Sequence, residues 1–586
     1  MDNKYTFIKQ GRLNYQGFIK DLFDFINNKQ LLDTSLWKKF VSVFKERPDS
    51  NDFRWRGEYW GKMMRGACIC YQYEQNEKLY KVLRGTTIDL LSTQDELGRI
   101  SSYSVDKEFH GWDIWGRKYV LTALLHFYEI CKEDDLKKKI IEACKKHASY
   151  LVEKIGSKEG QIRITETSNF WLGVNSSSIL EPIVNLFKIT SNKELLDFAK
   201  YIIDEGGITE GNLISEVLEG KHLPYQYPEA KAYETISFFE GVLEYALVTN
   251  DERLKNVALK FFDDVQKTEM SIIGCSGTHE ECFSNTMLTQ LTKESKFMQE
   301  TCVSVTYMRI LTKLYLLTGD SKYYDQFMNT GLNAFLGSVN YQNQAGFEYY
   351  LNKNIEPLPF DSYSPLHMNR RGLSTGGVNF FKDGSAYGCC ACIGAVSIGL
   401  LAMTTLIENE HEYVLNAYYD GKYTNEDEYI KIRSDYFESG NVHLETNLYK
   451  PLLLRVPNWS NNACVVIDGK PDEIIVDNYY EVNSGKHVIE LKFNPFLERH
   501  YLNQHVAYTY GDLVLGFDNE DNPDINLEDL SDEELSYFEI IDSNKDNLLV
   551  MKAKFKNKEV ILKNYASLGK HWNNPNNVLT AWIKGK

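Results

Sequence analysis

Two periodicities divide the chain. Up to about residue 410, apolar positions recur at intervals of three and four, which lays them along one face of an α-helix. RKYVLTALLHFYEIC (117–131), SSILEPIVNLFKI (177–189), FFEGVLEYALV (238–248) and VSVTYMRILTKLYLL (303–317) show it most clearly. Each gives way to a short polar turn, in order CKEDDL, TSNKEL, TNDERL and TGDSKY, and then to a second helical stretch. The turns open at Cys131, Thr190, Thr249 and Thr318, in steps of 59, 59 and 69 residues. This is an internal repeat of a helix–turn–helix pair. Asp, Asn, Ser and Gly suit the turn, and the acidic residues can cap the following helix. Paired helices in such number either close into a ring or stack into an open solenoid, which would make the chain an interaction scaffold. We take the ring, an (α/α)6 barrel with a cleft at one end, over residues 1–415.

From about residue 425 the period falls to two. YIKIRSDYF, NVHLETNL, LLLRVPNW, ACVVIDGKP, HVIELKF, VAYTYGDLVLGF and NLLVMKAKF read as strands, with turns at Asp468-Gly469 and Ser484-Gly485. Residues 416–586 are therefore expected to form a C-terminal β-sandwich. The acidic stretch DNEDNPDINLEDLSDEEL (518–535) reads as a solvated loop or edge insertion.

Composition narrows the function. The 586 residues are 43% hydrophobic, as a globular protein requires. A formal net charge of −17 argues against nucleic-acid binding, which needs a basic footprint. The opening MDNKYTFIKQ lacks the basic-then-apolar pattern of a secretory leader, and no apolar run reaches membrane-spanning length. The expected compartment is the cytoplasm, where the 11 cysteines would be mostly free thiols. Aromatic residues make up 13%, which suits a sugar-binding cleft but more commonly serves core packing.

Three stretches carry candidate chemistry. SAYGCCACIGA (385–395) places Cys389, Cys390 and Cys392 within four positions, and Gly388 would help a sharp turn there. SKFMQETCVSVTYMRIL (295–311) places Glu300 and Cys302 at the start of an apolar helix. Together, Glu300, Cys302, Cys389 and Cys390 supply the four ligands of a tetrahedral zinc site. The spacing also leaves open a reactive metal-free thiol or inert buried cysteines. GCSGTHEECFSN (274–285) holds His279 and the paired carboxylates Glu280 and Glu281, suited to acid–base work or to a solvated loop.

QETCVSVTYMRIL followed by GCCACIGAVSIGLL resembles the ETC and paired-cysteine motifs of glycoside hydrolase family 127, the β-L-arabinofuranosidases, and of the related family 146. WRGEYWGKMMRGA (55–67), WDIWGRKYVLTALLHFYE (112–129), KAYETISFFEGVLEY (231–245), LRVPNW (454–459), GDLVLGFD (511–518) and NYASLGKHW (564–572) agree in order, so the likeness spans nearly the whole chain.

The resemblance implies an (α/α)6 barrel followed by β-sandwich elements. It implies zinc (Zn2+) held by Glu300, Cys302, Cys389 and Cys390, with Cys389 the nucleophile and Glu281 the general acid/base, Glu280 the runner-up. A retaining, exo-acting hydrolase of small plant-derived oligosaccharides or glycosides is then expected, without a nucleic-acid or membrane partner. The β module would be the part to mediate a homodimer. The chain departs from the family in two places. Ala391-Cys392-Ile393 replaces two prolines and an asparagine after the cysteine pair, and makes Cys392 a competing ligand. Trp112, Ser176 and Lys231 stand where imidazoles contact the sugar. Two other readings stay open: another sugar-active barrel enzyme (an unsaturated glucuronyl hydrolase, lyase or epimerase), or a non-catalytic scaffold containing zinc.

Overall fold

Each of the four repeats is a pair of helices joined by two or three residues: Asp113–Ile130 with Asp134–Lys154, Leu180–Thr190 with Lys193–Asp204, Ala232–Thr249 with Glu252–Thr268, and Thr301–Thr318 with Ser321–Asn329. This computed structural model describes residues 3–293, 297–346, 356–374, 376–473, 478–541 and 547–585. Asn192, Asp251 and Asp320 cap the second helix of their pairs by accepting backbone N–H groups. Glu133 stands at the same place but makes no side-chain cap, because Tyr80 and Arg84 donate to its carboxylate instead.

Two further pairs complete the ring: Tyr59–Glu74 with Glu77–Leu91, and Ala395–Met403 with Phe18–Ile26. The first helix of every pair packs on its neighbours, and Ala395–Met403 closes the circle onto Tyr59–Glu74. The result is the (α/α)6 barrel. The inner helices of these two pairs show no apolar stripe because they are enclosed on all sides. Gly66 marks how close they come: a Cβ there would lie 2.8 Å from the backbone nitrogen of Val396.

The bore is filled by ion pairs as well as apolar side chains. Arg309 donates to Glu240 and Glu181, and Lys313 bridges Glu240 and Glu244, all on inner helices. Removing one partner strands the others in a water-poor interior. Arg309→Met should therefore cost about 3–5 kcal/mol of stability, read as a fall in the urea midpoint. A loss below about 1 kcal/mol would make these pairs no stronger than surface ones.

The β part holds a five-, a seven- and an eight-stranded sheet among the described residues. The first two recruit the N-terminus: Thr6–Phe7 pairs with Leu406–Glu408, and Leu13–Tyr15 with Gly421–Asn425. The acidic stretch 518–535 is more than a solvated loop, since Asp518, Leu527 and Leu530 are buried in it. The eight-stranded sheet buttresses a loop of the barrel. Arg371 donates to the carbonyls of Leu568 and Tyr565, the Tyr565 hydroxyl donates to Pro365, and Lys570 donates to Gly337 and Val339. That loop carries Ser362 and Tyr363 to the mouth of the barrel.

Candidate active site

The site begins with how one helix starts. Glu300 precedes Thr301–Thr318 with extended backbone (φ −64°, ψ 136°) and makes no side-chain cap. The free N–H groups of a helix start normally claim such a carboxylate. The backbone on either side of Glu300 is held elsewhere, the Thr301 N–H donating to the carbonyl of Ser362 at 2.9 Å and that of Gln299 to Gly277 at 2.5 Å. The Glu300 carboxylate is left free to face the thiols.

The paired cysteines sit in the first turn of a short helix, Cys389–Ile393, which follows a hairpin of Val378–Phe380 and Ala386–Gly388. Gly388 does not make the turn; its φ of −118° is extended backbone open to any residue. The glycine the site needs is Gly377, at φ +72°, where a Cβ would lie 2.1 Å from Cys389 Sγ. Gly377→Ala should displace Cys389 and lower both turnover and metal content while far-UV circular dichroism stays unchanged. Wild-type metal content in that variant would refute the constraint.

Glu300, Cys302, Cys389 and Cys390 are all buried, with their ligand atoms within 4.8 Å of one another. Cys302 and Cys390 sulfurs are 3.4 Å apart, and Cys389 and Cys390 sulfurs 3.9 Å. Glu300 Oε1 lies 3.5 Å from Cys390 Sγ and 4.0 Å from Cys389 Sγ. A zinc tetrahedron with ordinary Zn–S and Zn–O bonds has edges of roughly 3.6–3.8 Å, so these donors fit that ion. Without it the cluster holds little charge. Hydrogen bonds from Cys302 and Cys390 hold the Cys389 thiol well below the usual range, while burial pushes Cys302, Cys390 and Glu300 up. Cys392 is fully buried and falls outside the group, so it does not compete.

The four open unequally onto a cleft of about 530 Å³ at the barrel mouth. Glu300 and Cys389 line it; Cys302 and Cys390 lie behind. Across from them, Glu281 lies on a loop whose residues Glu280 and Glu281 adopt left-handed backbone (φ 51° and 62°). Lys231 donates to one oxygen of Glu281 and the Tyr363 hydroxyl to the other. Glu280 lines the same cleft but is exposed, and His279 is an exposed loop residue.

The three positions that replace imidazoles separate. Trp112 and Lys231 line the cleft, whereas Ser176 is fully buried and is not part of its lining. Lys231 lies 4.4 Å from the centre of the Trp171 ring. Other cleft residues escaped the sequence reading. Lys62, 1% exposed, places its ammonium 2.9 Å from Glu58 and 3.6 Å from Cys302 Sγ. Burial pushes the Glu58 carboxyl up to about 7. A Glu and a Lys four apart inside WRGEYWGK is a signal that could have been read; nothing around Tyr363 in the sequence marks it.

Among the described residues, no helix is long and apolar enough to cross a membrane. No curated protein matches the chain. Solved structures do. A GH127 β-L-arabinofuranosidase from Geobacillus stearothermophilus T6 superposes with a TM-score of 0.72 at 16% identity, over 98% of this chain and 100% of that one. A second structure, a GH127 β-arabinofuranosidase, gives 0.75 at 17% identity, over 100% and 98%. A third, a glycoside hydrolase, gives 0.70 at 15%, over 99% and 98%. At that identity the likeness speaks for the fold. The family model described as "Beta-L-arabinofuranosidase, GH127 catalytic domain" matches residues 12–369, more than half the chain and most of the barrel. The chain is therefore a glycoside hydrolase belonging to family GH127.

Proposed function

We propose that this chain is a retaining, exo-acting β-L-arabinofuranosidase-like hydrolase in which Cys389 is the nucleophile and Glu281 the general acid/base. The supporting observation is the cluster itself: four buried donors at tetrahedral spacing, of which Cys389 is the only thiol lining the cleft. Glu300, Cys302, Cys389 and Cys390 would hold zinc. When bound, the ion keeps its thiols as thiolates at neutral pH, where a free thiol is largely protonated.

The chain's own groups carry the steps. Cys389 Sγ attacks the anomeric carbon, forming a C–S bond as the glycosidic C–O bond breaks. Glu281 gives its proton to the departing oxygen. Water then attacks the same carbon, Glu281 takes the water's proton, and the C–S bond breaks to return the thiolate. Two inversions retain the anomeric configuration. Lys231 and Tyr363 would orient Glu281, and a cleft at the barrel mouth suits exo action on small plant-derived oligosaccharides. A cytoplasmic setting would keep the thiols reduced.

Glu281→Gln should lower kcat by about 10²–10⁴ on a glycoside with a poor leaving group, and far less on one with an acidic phenol. Azide should restore turnover by replacing the base-activated water. Glu280→Gln should stay near wild type. If Glu280→Gln shows the loss and the azide rescue instead, the acid/base assignment moves to Glu280.

A further inference from the structure

The cleft has a second kind of wall that the chemistry above does not use. Trp55, Trp112 and Phe170 stand in contact around its rim, with Trp171 next to Phe170 in the chain. The Trp112 ring stacks on Phe170 at 5.7 Å and 26°, and meets Trp55 edge-on at 5.6 Å. All four are half-buried, whereas Glu58, Lys62 and Lys231 on the floor are buried. The arc is tied to the reacting groups at both ends. Trp55 Nε1 donates to the carbonyl of Gly377 at 3.1 Å, and that same carbonyl accepts the N–H of Cys389. At the other end Trp171 lies under the Lys231 ammonium that holds Glu281. Trp171 and Leu172 adopt left-handed backbone (φ 51° and 47°), a conformation bulky residues take only under constraint.

We propose that this arc is a leaving-group subsite, which takes a glycoside whose aglycone presents a flat face, either a phenolic ring or the C–H face of a pyranose. The inference rests on the hydrolase reading above. Cys389 and Glu281 need the cleaved sugar on the floor between them, so whatever leaves must lie toward the rim. The rim offers half-buried π-faces within reach of a ligand, whereas the rings beside the floor charges, Trp115 and Tyr233, are buried. Flat rings stack on such half-buried faces.

The test compares phenyl and methyl β-L-arabinofuranosides as substrates for the wild type and Phe170→Ala. The substitution should raise KM for the phenyl glycoside so that kcat/KM falls about ten-fold further than for the methyl glycoside. Equal losses on both substrates, or none on either, overturn the subsite. Saturation-transfer NMR with phenol and with a methyl pyranoside separates this from the sugar assignment. Saturation transfer to either ligand in the wild type, weakened in Phe170→Ala, supports the subsite even if no arabinofuranoside is hydrolysed, and the stronger of the two identifies the aglycone. Hydrolysis of both glycosides without discrimination, and with no transfer to either free ligand, overturns the subsite while leaving the hydrolase reading intact.

Discussion

Cys389→Ser should abolish turnover while the barrel stays folded. The expected fall in kcat is at least about four orders of magnitude, because a hydroxyl cannot be brought to its anion at neutral pH as a thiol can. The change is nearly isosteric, and Cys389 is only 8% exposed, so secondary structure should match wild type by circular dichroism. A mechanism-based inhibitor carrying an electrophile at the anomeric carbon should label Cys389 in the wild type and leave the variant unlabelled. Retained turnover in the serine variant would remove the nucleophile assignment. Labelling of Glu300 instead would make this an ordinary carboxylate enzyme with a structural cysteine cluster.

The metal is the second large effect. Freshly prepared, reduced protein should contain about one zinc per chain. Cys390→Ala should lose both the zinc and the activity. Cys390 is the informative ligand because it lies behind the cleft wall and cannot touch substrate, so its removal acts through the metal. Chelation should also lower thermal stability. A ligand present at 1,000 times its dissociation constant stabilises the folded state by about 4 kcal/mol, and zinc held by three thiolates should reach that range. Added zinc should restore the melting temperature and the turnover together. Wild type that is fully active without zinc would leave the activation of Cys389 to the hydrogen bonds from Cys302 and Cys390 alone.

Legibility differed by element for physical reasons. The four helix pairs from 113 to 329 could be read because a polar turn punctuates each one, and in three of them an Asn or Asp caps the second helix. The pair Tyr59–Glu74 with Glu77–Leu91 carries the same punctuation, a polar turn in which Asn76 caps the second helix, and was legible by the same rule. The pair closed by Phe18–Ile26 was hidden because its two helices lie more than 360 residues apart in the chain. The strands beyond 425 followed from alternation, but the pairing of Thr6–Phe7 with Leu406–Glu408 and of Leu13–Tyr15 with Gly421–Asn425 did not, since the N-terminal strands have two and three residues.

At the site, the sequence alone supplied the donors. Three thiols and a carboxylate of the right type are named by their motifs. Their chemistry was legible because ligand identity is a property of the side chain. Convergence was not, because 87 positions separate Cys302 from Cys389 and only the closing of the ring brings them together. The tertiary structure also decided which thiol meets the cleft, which carboxylate is held by Lys231 and Tyr363, and that Ser176 is buried away from the cleft lining. It made Gly377 rather than Gly388 the glycine the cluster depends on. Each of these depends on distance and exposure between segments far apart in the chain, which no local pattern encodes.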